Sequence, residues 1–200
     1  MLKKIMAISL GFSALSIATA HATTPGAYIE GQLGYAHTGT RFIKPFPSGK
    51  VDSKYQGGLA GRVAIGYQFN PNLAAEMGYL QLADQEAKLK SPVNQSITIN
   101  QHAFDLVGKG ILPLSDKFNL YAKAGVAYLV TDLSGDTINQ HSIIKPVAKQ
   151  SWAPEAGIGL TYNVTPNMFI DTAFTHIQPI GKNKPSNINM ATIGLGFTFG

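Results

Sequence analysis

Apolar residues alternate with small or polar residues along most of the chain. Between positions 59 and 69, Leu59, Val63 and Ile65 share one parity, while Ala60 and Arg62 share the other. Because successive side chains of a β-strand point to opposite faces, this pattern predicts a strand with one apolar face and one small or polar face. The same alternation recurs at 28–35, 73–79, 104–112, 119–128, 155–164, 170–175 and 192–199. The sequence therefore predicts eight strands.

The predicted strands are joined by connections that alternate between short and long. The short ones are turns at 70–72, 113–117 and 165–167. The long ones are rich in Lys, Asn, Ser and Pro and lie at 38–56, 84–101, 131–150 and 177–188. Short turns at one end and long loops at the other are typical of outer-membrane β-barrels.

The composition also favours a membrane barrel over a soluble sandwich. Only 14% of the 200 residues are charged, whereas about a quarter are charged in a typical soluble domain. Beyond residue 22 no apolar run reaches the ~18 residues that a membrane-spanning helix needs. We predict an all-β protein, an eight-stranded antiparallel up-and-down transmembrane β-barrel with short periplasmic turns and four long extracellular loops. The aromatics expected in its interfacial girdles are Tyr28, Tyr67, Phe69, Phe118, Tyr162, Phe169 and Phe199.

The start of the chain has the composition of a secretory signal peptide. Two lysines precede an apolar stretch at 5–18, and the small-residue site Ala20-His21-Ala22 follows it. We predict a cleaved signal peptide at 1–22 and a barrel domain at 23–200, with a cut two residues earlier as the alternative. The chain has no Cys, which excludes disulfides and Cys-ligated metal sites. Export without Cys fits a bacterial envelope protein.

The second and third predicted strands resemble those of the OmpA transmembrane-domain family. They carry Gly66-Tyr67-Gln68-Phe69-Asn70-Pro71-Asn72 and then Glu76-Met77-Gly78-Tyr79, and the resemblance continues at Lys109, Pro113, Tyr121 and the terminal Gly194–Gly200. It implies an eight-stranded antiparallel barrel in the bacterial outer membrane, in a family with structural, weakly conducting, adhesive and lipopolysaccharide-contacting members. Many members also carry a peptidoglycan-binding domain, which is not expected here because the sequence ends with the barrel.

Isolated charges occupy the inward parity of the predicted strands. They are Glu30, Arg62, Glu76, Asp105, Lys109, Lys123, Glu155 and Asp171. A lower set contains Glu76, Lys109 and Asp171, and an upper set, about four residues higher, contains Arg62, Asp105, Lys123 and Glu155. Side chains fill the interior of a barrel of this size, and buried charges must pair or be neutralised. We therefore predict two ionic layers that plug the bore, with Glu76 paired to Lys109 or Lys123.

The resemblance also implies a second interpretation of these charges. In the family a lumen Glu switches between basic partners, which is proposed to gate a small pore. Glu76 and Lys109 match those positions, and Lys123 replaces an Arg. This chain departs from the family at Asp171, where the family has Arg, and at Thr161, where it has Glu, while Arg62 is an additional base. A static polar core and a gated pore both remain open at this point.

Basic and aromatic residues cluster in the first and last long loops. The candidate contact patch is Arg41, Phe42, Lys44, Phe46, Lys50, Lys54, Lys182 and Lys184. A basic rim of this kind attracts the phosphates of lipopolysaccharide or acidic host glycans. A solvated loop surface without a partner is the alternative.

No other cluster of residues predicts chemistry. The His residues at 37, 102, 141 and 176 lack metal-ligand spacing, Gly108-Lys109-Gly110 lacks the spacing of a phosphate loop, and Ser142 beside His141 has no third partner. We predict no cofactor, no metal and no nucleic-acid partner. The favoured function is a monomeric structural and surface-interaction barrel in contact with outer-membrane lipids, lipopolysaccharide and a host-surface ligand. The alternatives are a small, weakly conducting channel and, less favoured, a lipid A-modifying barrel enzyme.

Overall fold

The computed structural model of the protein describes residues 25–38, 51–52, 57–83, 85–89, 95–135, 150–181 and 184–199. In these residues it contains ten β-strands. They are β1 (Gly26–Thr38), β2 (Val51–Asp52), β3 (Gly57–Asn70), β4 (Leu73–Leu82), β5 (Gln85–Leu89), β6 (Gln95–Pro113), β7 (Phe118–Gly135), β8 (Gln150–Asn163), β9 (Met168–Ile177) and β10 (Ile188–Phe199). No helix within the described ranges is long and apolar enough to cross a membrane. The predicted signal peptide lies outside the described residues.

Eight of the strands close into a ring. β1 pairs with β3 on one side and with β10 on the other, and the pairing of β6 with β7 completes the ring. The order around it is β1, β3, β4, β6, β7, β8, β9 and β10, and every neighbouring pair is antiparallel. β5 pairs with the start of β6 and β2 pairs with β5, so these short strands extend the sheet beyond the ring. The predicted eight-stranded antiparallel barrel is confirmed.

The register gives the strands a steep tilt. A path that starts at Thr38 and follows paired residues around the ring returns to β1 at Tyr28, ten residues away along the strand. In an eight-stranded barrel this stagger corresponds to a tilt of roughly 40° from the barrel axis. Residues that pair across strands therefore differ in height, and the register assigns each inward side chain a level along the axis.

Some strands are longer than the alternation predicted. The segment expected to be a loop at 84–101 contains β5 and the start of β6, and β7 continues into the loop expected at 131–150. The alternation of apolar and polar residues fades in β7 beyond Val130, but it persists at the start of β6, where Ile97 and Ile99 alternate with Ser96 and Thr98; antiparallel backbone pairing continues in both. Backbone hydrogen bonds do not require an apolar face, so a strand can extend beyond the part that its side chains reveal.

The two faces of the barrel match the predicted parity. On the outward face Leu33 and Leu59 are 73% and 75% exposed, whereas the inward Glu30 and Arg62 are 1% and 2% exposed. Apolar side chains thus cover the outside, where a soluble protein would carry its charges. This inversion is the composition expected of a barrel whose outer face contacts lipid.

Most of the predicted girdle aromatics lie on the outward face. Outward rings that contact each other near the periplasmic end, at tilted or edge-to-face angles, are Tyr67–Phe69, Phe118–Tyr162 and Phe197–Phe199. The prediction is wrong for Tyr28 and Phe169, whose rings pack edge to face inside the barrel with centroids 5.9 Å apart. Tyr28 shares the parity of Glu30, and Phe169 that of Asp171. Strand alternation therefore turns both rings inward, even close to the rim.

Candidate functional site

The barrel interior is stacked in levels along its axis. With the register and tilt applied, charged side chains form a lower and an upper level, and apolar side chains form a third level on the extracellular side. The lower level holds Glu30, Glu76, Lys109 and Asp171, and the upper level holds Arg62, Asp105 and Glu155, with Lys123 between the two. All eight residues are at most 6% exposed. The structure therefore brings every predicted lumen residue into one buried region.

Glu76 is the most connected carboxylate of this region. Its Oε1 accepts a 2.8 Å hydrogen bond from the Tyr28 hydroxyl and contacts the Lys109 ammonium. Its Oε2 accepts hydrogen bonds from Nη1 and Nη2 of Arg62, both at 3.2 Å. Arg62 also donates to Asp105, at 2.9 Å from Nε and 2.6 Å from Nη2. One guanidinium group therefore links the lower level to the upper level.

Glycines on the inward face make room for these larger side chains. A Cβ atom at Gly78 would lie 2.7 Å from Nη2 of Arg62 and 2.8 Å from Oδ1 of Asp105. A Cβ atom at Gly66 would collide with the Tyr28 ring. Both glycines stand in the motif that carries the family resemblance, and their role here is steric.

Asp171 is held by neutral donors. Its Oδ1 accepts hydrogen bonds from Nε2 of Gln32 and from the Tyr121 hydroxyl, each at 2.9 Å. Its Oδ2 accepts a 3.1 Å hydrogen bond from the Thr161 hydroxyl. The Gln32 amide also donates to Oε1 of Glu30 at 2.7 Å. Within the described ranges no Lys or Arg lies at ion-pair distance from Asp171, so its direct polar contacts are hydrogen bonds from neutral donors.

The two lysines have different carboxylate partners. Lys109 contacts Glu76, and its ammonium lies 3.8 Å from Oε2 of Glu30. Lys123 forms a separate pair with Glu155, at 2.9 Å between Nζ and Oε1, with both side chains 2% exposed. The sequence predicted Lys109 or Lys123 as the partner of Glu76, and in the structure the partner is Lys109.

The interior becomes apolar above the upper ionic level. Leu80, Leu129, Ile177, Ile188 and Met190 are each no more than 1% exposed. The complete apolar layer is Ala36, Ala60, Leu80, Leu82, Ala103, Ala127, Leu129, Ala153, Ile177, Ile188 and Met190. With the register and tilt applied, these residues fall at similar heights, so the layer crosses the bore. The expectation of a polar interior is therefore wrong at the extracellular end.

The sequence did contain a signal for the apolar layer. Leu80 and Leu82 continue the inward parity of Glu76 along β4, and Leu129 continues that of Lys123 along β7. These residues come from two strands that are not neighbours in the ring, since β6 lies between them. Only the register of the closed ring shows that they meet at one level.

A small cavity lies at the periplasmic end, below the lower ionic level. Its volume is about 90 Å³, and polar side chains such as Asn119 and Thr161 line it. Lys109 and Tyr121 also line it, with the ammonium 4.3 Å from the centre of the ring. The ionic network thus borders a cavity of mixed polar and apolar lining on the periplasmic side and an apolar layer on the extracellular side.

Of the predicted contact patch, one residue lies within the described part of the chain. Lys184 is described and half-buried in the segment before β10. The remaining members lie outside the described residues: Arg41, Phe42, Lys44, Phe46, Lys50, Lys54 and Lys182. In the part of the chain that the structure describes, no group of three or more His, Asp or Glu side chains is arranged to hold a metal ion.

Comparison with known proteins agrees with this architecture. The sequence profile of a family described as the OmpA-like transmembrane domain matches residues 26–200. The chain belongs to this family. It is an outer-membrane β-barrel, and its membership implies a location in the bacterial outer membrane.

Individual proteins similar to this chain support the same fold. A Coxiella burnetii protein described as uncharacterized is 30% identical over an alignment of 249 positions, gaps included, that spans all of both chains. The crystal structure of OprG from Pseudomonas aeruginosa has a TM-score of 0.62 at 12% identity, covering 90% of this chain and 99% of OprG. Ail of Yersinia pestis, solved in complex with the heparin analogue sucrose octasulfate, has a TM-score of 0.50 at 17% identity, covering 87% and 99%. At such identities the structural likeness shows the fold alone.

Proposed function

We propose that this protein is a structural, surface-presenting barrel with a closed bore, whose extracellular loops carry its contacts. The observation that carries the proposal is the apolar layer across the interior. An ion that crossed this layer would lose its hydration, and the apolar side chains offer no replacement partners. Eight buried charged side chains occupy the levels below it. The proposed role includes no enzymatic step.

A weakly conducting channel is the second candidate, and the cavity at the periplasmic end, which polar side chains partly line, favours it. That cavity reaches the ionic network from one side only. Conduction would require both the ionic network and the apolar layer to rearrange. A closed barrel requires neither movement, so it is the simpler interpretation of the interior.

The surface part of the proposal rests on the charge of the first long loop. Arg41, Lys44, Lys50 and Lys54 give it a positive character that attracts phosphate and sulfate groups. Ail, a barrel of the same fold, was solved with a sulfated heparin analogue. We propose lipopolysaccharide phosphates or acidic host glycans as the corresponding partners here.

Planar-bilayer recordings test the closed bore. The wild-type protein is expected to give no steady conductance, whereas Leu80→Ser/Leu129→Ser combined with Arg62→Met should open both the apolar layer and the ionic network and conduct. The matched control is Leu33→Ser/Leu59→Ser combined with Arg62→Met, which makes the same leucine changes on the outward face. A large steady conductance of the wild-type protein would contradict the proposal.

Binding to a polyanion tests the surface role. The purified barrel in nanodiscs should bind heparin or lipopolysaccharide with an affinity that falls as salt concentration rises. Replacing Arg41, Lys44, Lys50 and Lys54 together with Ser should abolish this binding. The control is Lys117→Ser, which removes an exposed base from a periplasmic turn. Unchanged binding by the loop variant would exclude the loop as the contact surface.

A further inference from the structure

The charged groups of the interior do not balance. Among the described residues the interior buries five carboxylates and three bases, which leaves two negative charges in excess. The carboxylates are Glu30, Glu76, Asp105, Glu155 and Asp171, and the bases are Arg62, Lys109 and Lys123. An uncompensated charge is unfavourable away from water. The interior therefore requires a counter-cation or bound protons.

Four buried oxygen atoms near the upper ionic level have no hydrogen-bond partner. They are Oε1 of Gln32, Oε2 of Glu155, Oγ1 of Thr175 and Oγ1 of Thr192. Their residues are at most 7% exposed. Buried polar atoms in folded proteins are nearly always satisfied by protein groups, water or ions, so four unsatisfied oxygens in one region mark a place for a bound water or ion. We call these four residues the oxygen arc.

The register places the residues of the oxygen arc side by side. They belong to four consecutive strands of the ring, β1, β10, β9 and β8, and each is the diagonal neighbour of the next on the inward face. Diagonal neighbours in a sheet have Cα atoms roughly 7–8 Å apart, a distance that long side chains such as those of Gln32 and Glu155 can span. With the tilt applied, all four fall at similar heights.

The donors nearest to the oxygen arc are already engaged. Nε2 of Gln32 donates to Glu30 and Asp171, so the amide oxygen of Gln32 remains unused. Lys123 bonds Oε1 of Glu155, and Oε2 is left without a donor. The arc therefore presents one carboxylate oxygen and three neutral oxygens.

We infer that the oxygen arc binds a monovalent alkali cation, Na⁺ or K⁺, between the carboxylate of Glu155 and the neutral oxygens of Gln32, Thr175 and Thr192. Oxygen donors of this type are those that hard cations use. Divalent cations favour sites with several carboxylates, and the described residues contain no group of three acidic or His side chains suited to a metal. A single positive charge at the arc also offsets part of the excess negative charge of the interior, which lies in the adjacent lower level at Glu30, Glu76 and Asp171. The inference does not depend on whether the bore conducts.

Stability in different salts tests the inference on the refolded full chain. At constant ionic strength, replacing choline chloride with NaCl or KCl should raise the urea midpoint of the wild-type protein until the effect saturates. The double variant Thr175→Val/Thr192→Val should lose this saturable rise. Thr172→Val is the matched control, because it makes the same change on the outward face of β9 and should keep the full rise.

A second measurement tests cation binding at the oxygen arc even if the valine variant does not fold. Wild-type crystals soaked in Tl⁺, which substitutes for K⁺, should show an anomalous peak within coordination distance of Glu155 and Thr175. Identical midpoints of the wild-type protein in all three chlorides, or no peak at the arc, would overturn the inference. It would also be overturned if acidification raised the midpoint while added cation did not, since protons would then neutralise the excess charge.

Discussion

The ion pair between Lys123 and Glu155 is suited to measuring the free energy of a buried contact inside the barrel. Its atoms lie 2.9 Å apart, and both side chains are 2% exposed. At an effective dielectric constant near 20, the attraction between the two charges is about 6 kcal/mol, and the loss of hydration offsets much of it. Removing one partner leaves the other charge buried and unpaired. Lys123→Met and Glu155→Gln should therefore each lower the free energy of unfolding by ~3–5 kcal/mol.

The double variant Lys123→Met/Glu155→Gln should be destabilised by less than the sum of the two single changes, with a coupling of ~2–3 kcal/mol. The assay is reversible urea unfolding in detergent at fixed salt. It can follow the emission of Trp152, the chain's single Trp, which is 59% exposed on the outward face. Lys117→Met at a periplasmic turn is the control and should change stability by no more than about 0.5 kcal/mol. Additive single effects would refute the ion pair.

The same unfolding assay tests three further expectations. Leu160→Arg should lower the free energy of unfolding by ~2–4 kcal/mol because it places a charge in lipid, whereas Thr161→Val should lower it less; equal effects would mean that the two faces are reversed. Gly78→Ala should be clearly destabilising, because its Cβ would force apart the Arg62–Asp105 pair, and an unchanged midpoint would contradict this packing. Tyr28→Phe should lower stability by ~1–3 kcal/mol through loss of the hydrogen bond to Glu76, while an outward Tyr67→Phe should not.

The fold could be predicted from the sequence because every membrane-spanning strand must meet the same requirement. The lipid-facing side must be apolar, so alternation is visible in one sequence without comparison to others. The Asn70-Pro71-Asn72 turn and its short counterparts then fix the order and direction of the strands. A shift of one residue would turn every side chain to the other face, which makes the predicted parity a strong constraint.

The side-chain contacts inside the barrel could be predicted only in part, because they depend on the register of the whole ring. The sequence separated Arg62 from Glu76 by level, but the long guanidinium side chain spans both levels. The sequence also gave no reason to expect that Leu80 on β4 and Met190 on β10 lie at the same level. Their common height follows only from the ten-residue stagger of the closed barrel.

The geometry around Glu76 argues against a gate that works by exchange of partners. Glu76 contacts Lys109 and Arg62 simultaneously, so a switch between two bases would break one ion pair without forming another. At the positions where the family has Arg and Glu, this chain has Asp171 and Thr161, and the Thr161 hydroxyl donates a 3.1 Å hydrogen bond to the Asp171 carboxylate. We therefore expect single-channel recordings of the wild-type protein to lack discrete openings.

Arg62→Met provides the decisive variant for this last expectation. It leaves Glu76 with Lys109 as its one basic partner, but it does not change the apolar layer. If that layer closes the bore, Arg62→Met should remain silent in planar bilayers, and conduction should appear only when Leu80→Ser/Leu129→Ser is added. Discrete openings of the wild-type protein, with a frequency that changes in Glu76→Gln, would refute this reasoning and restore a gate based on the ionic network.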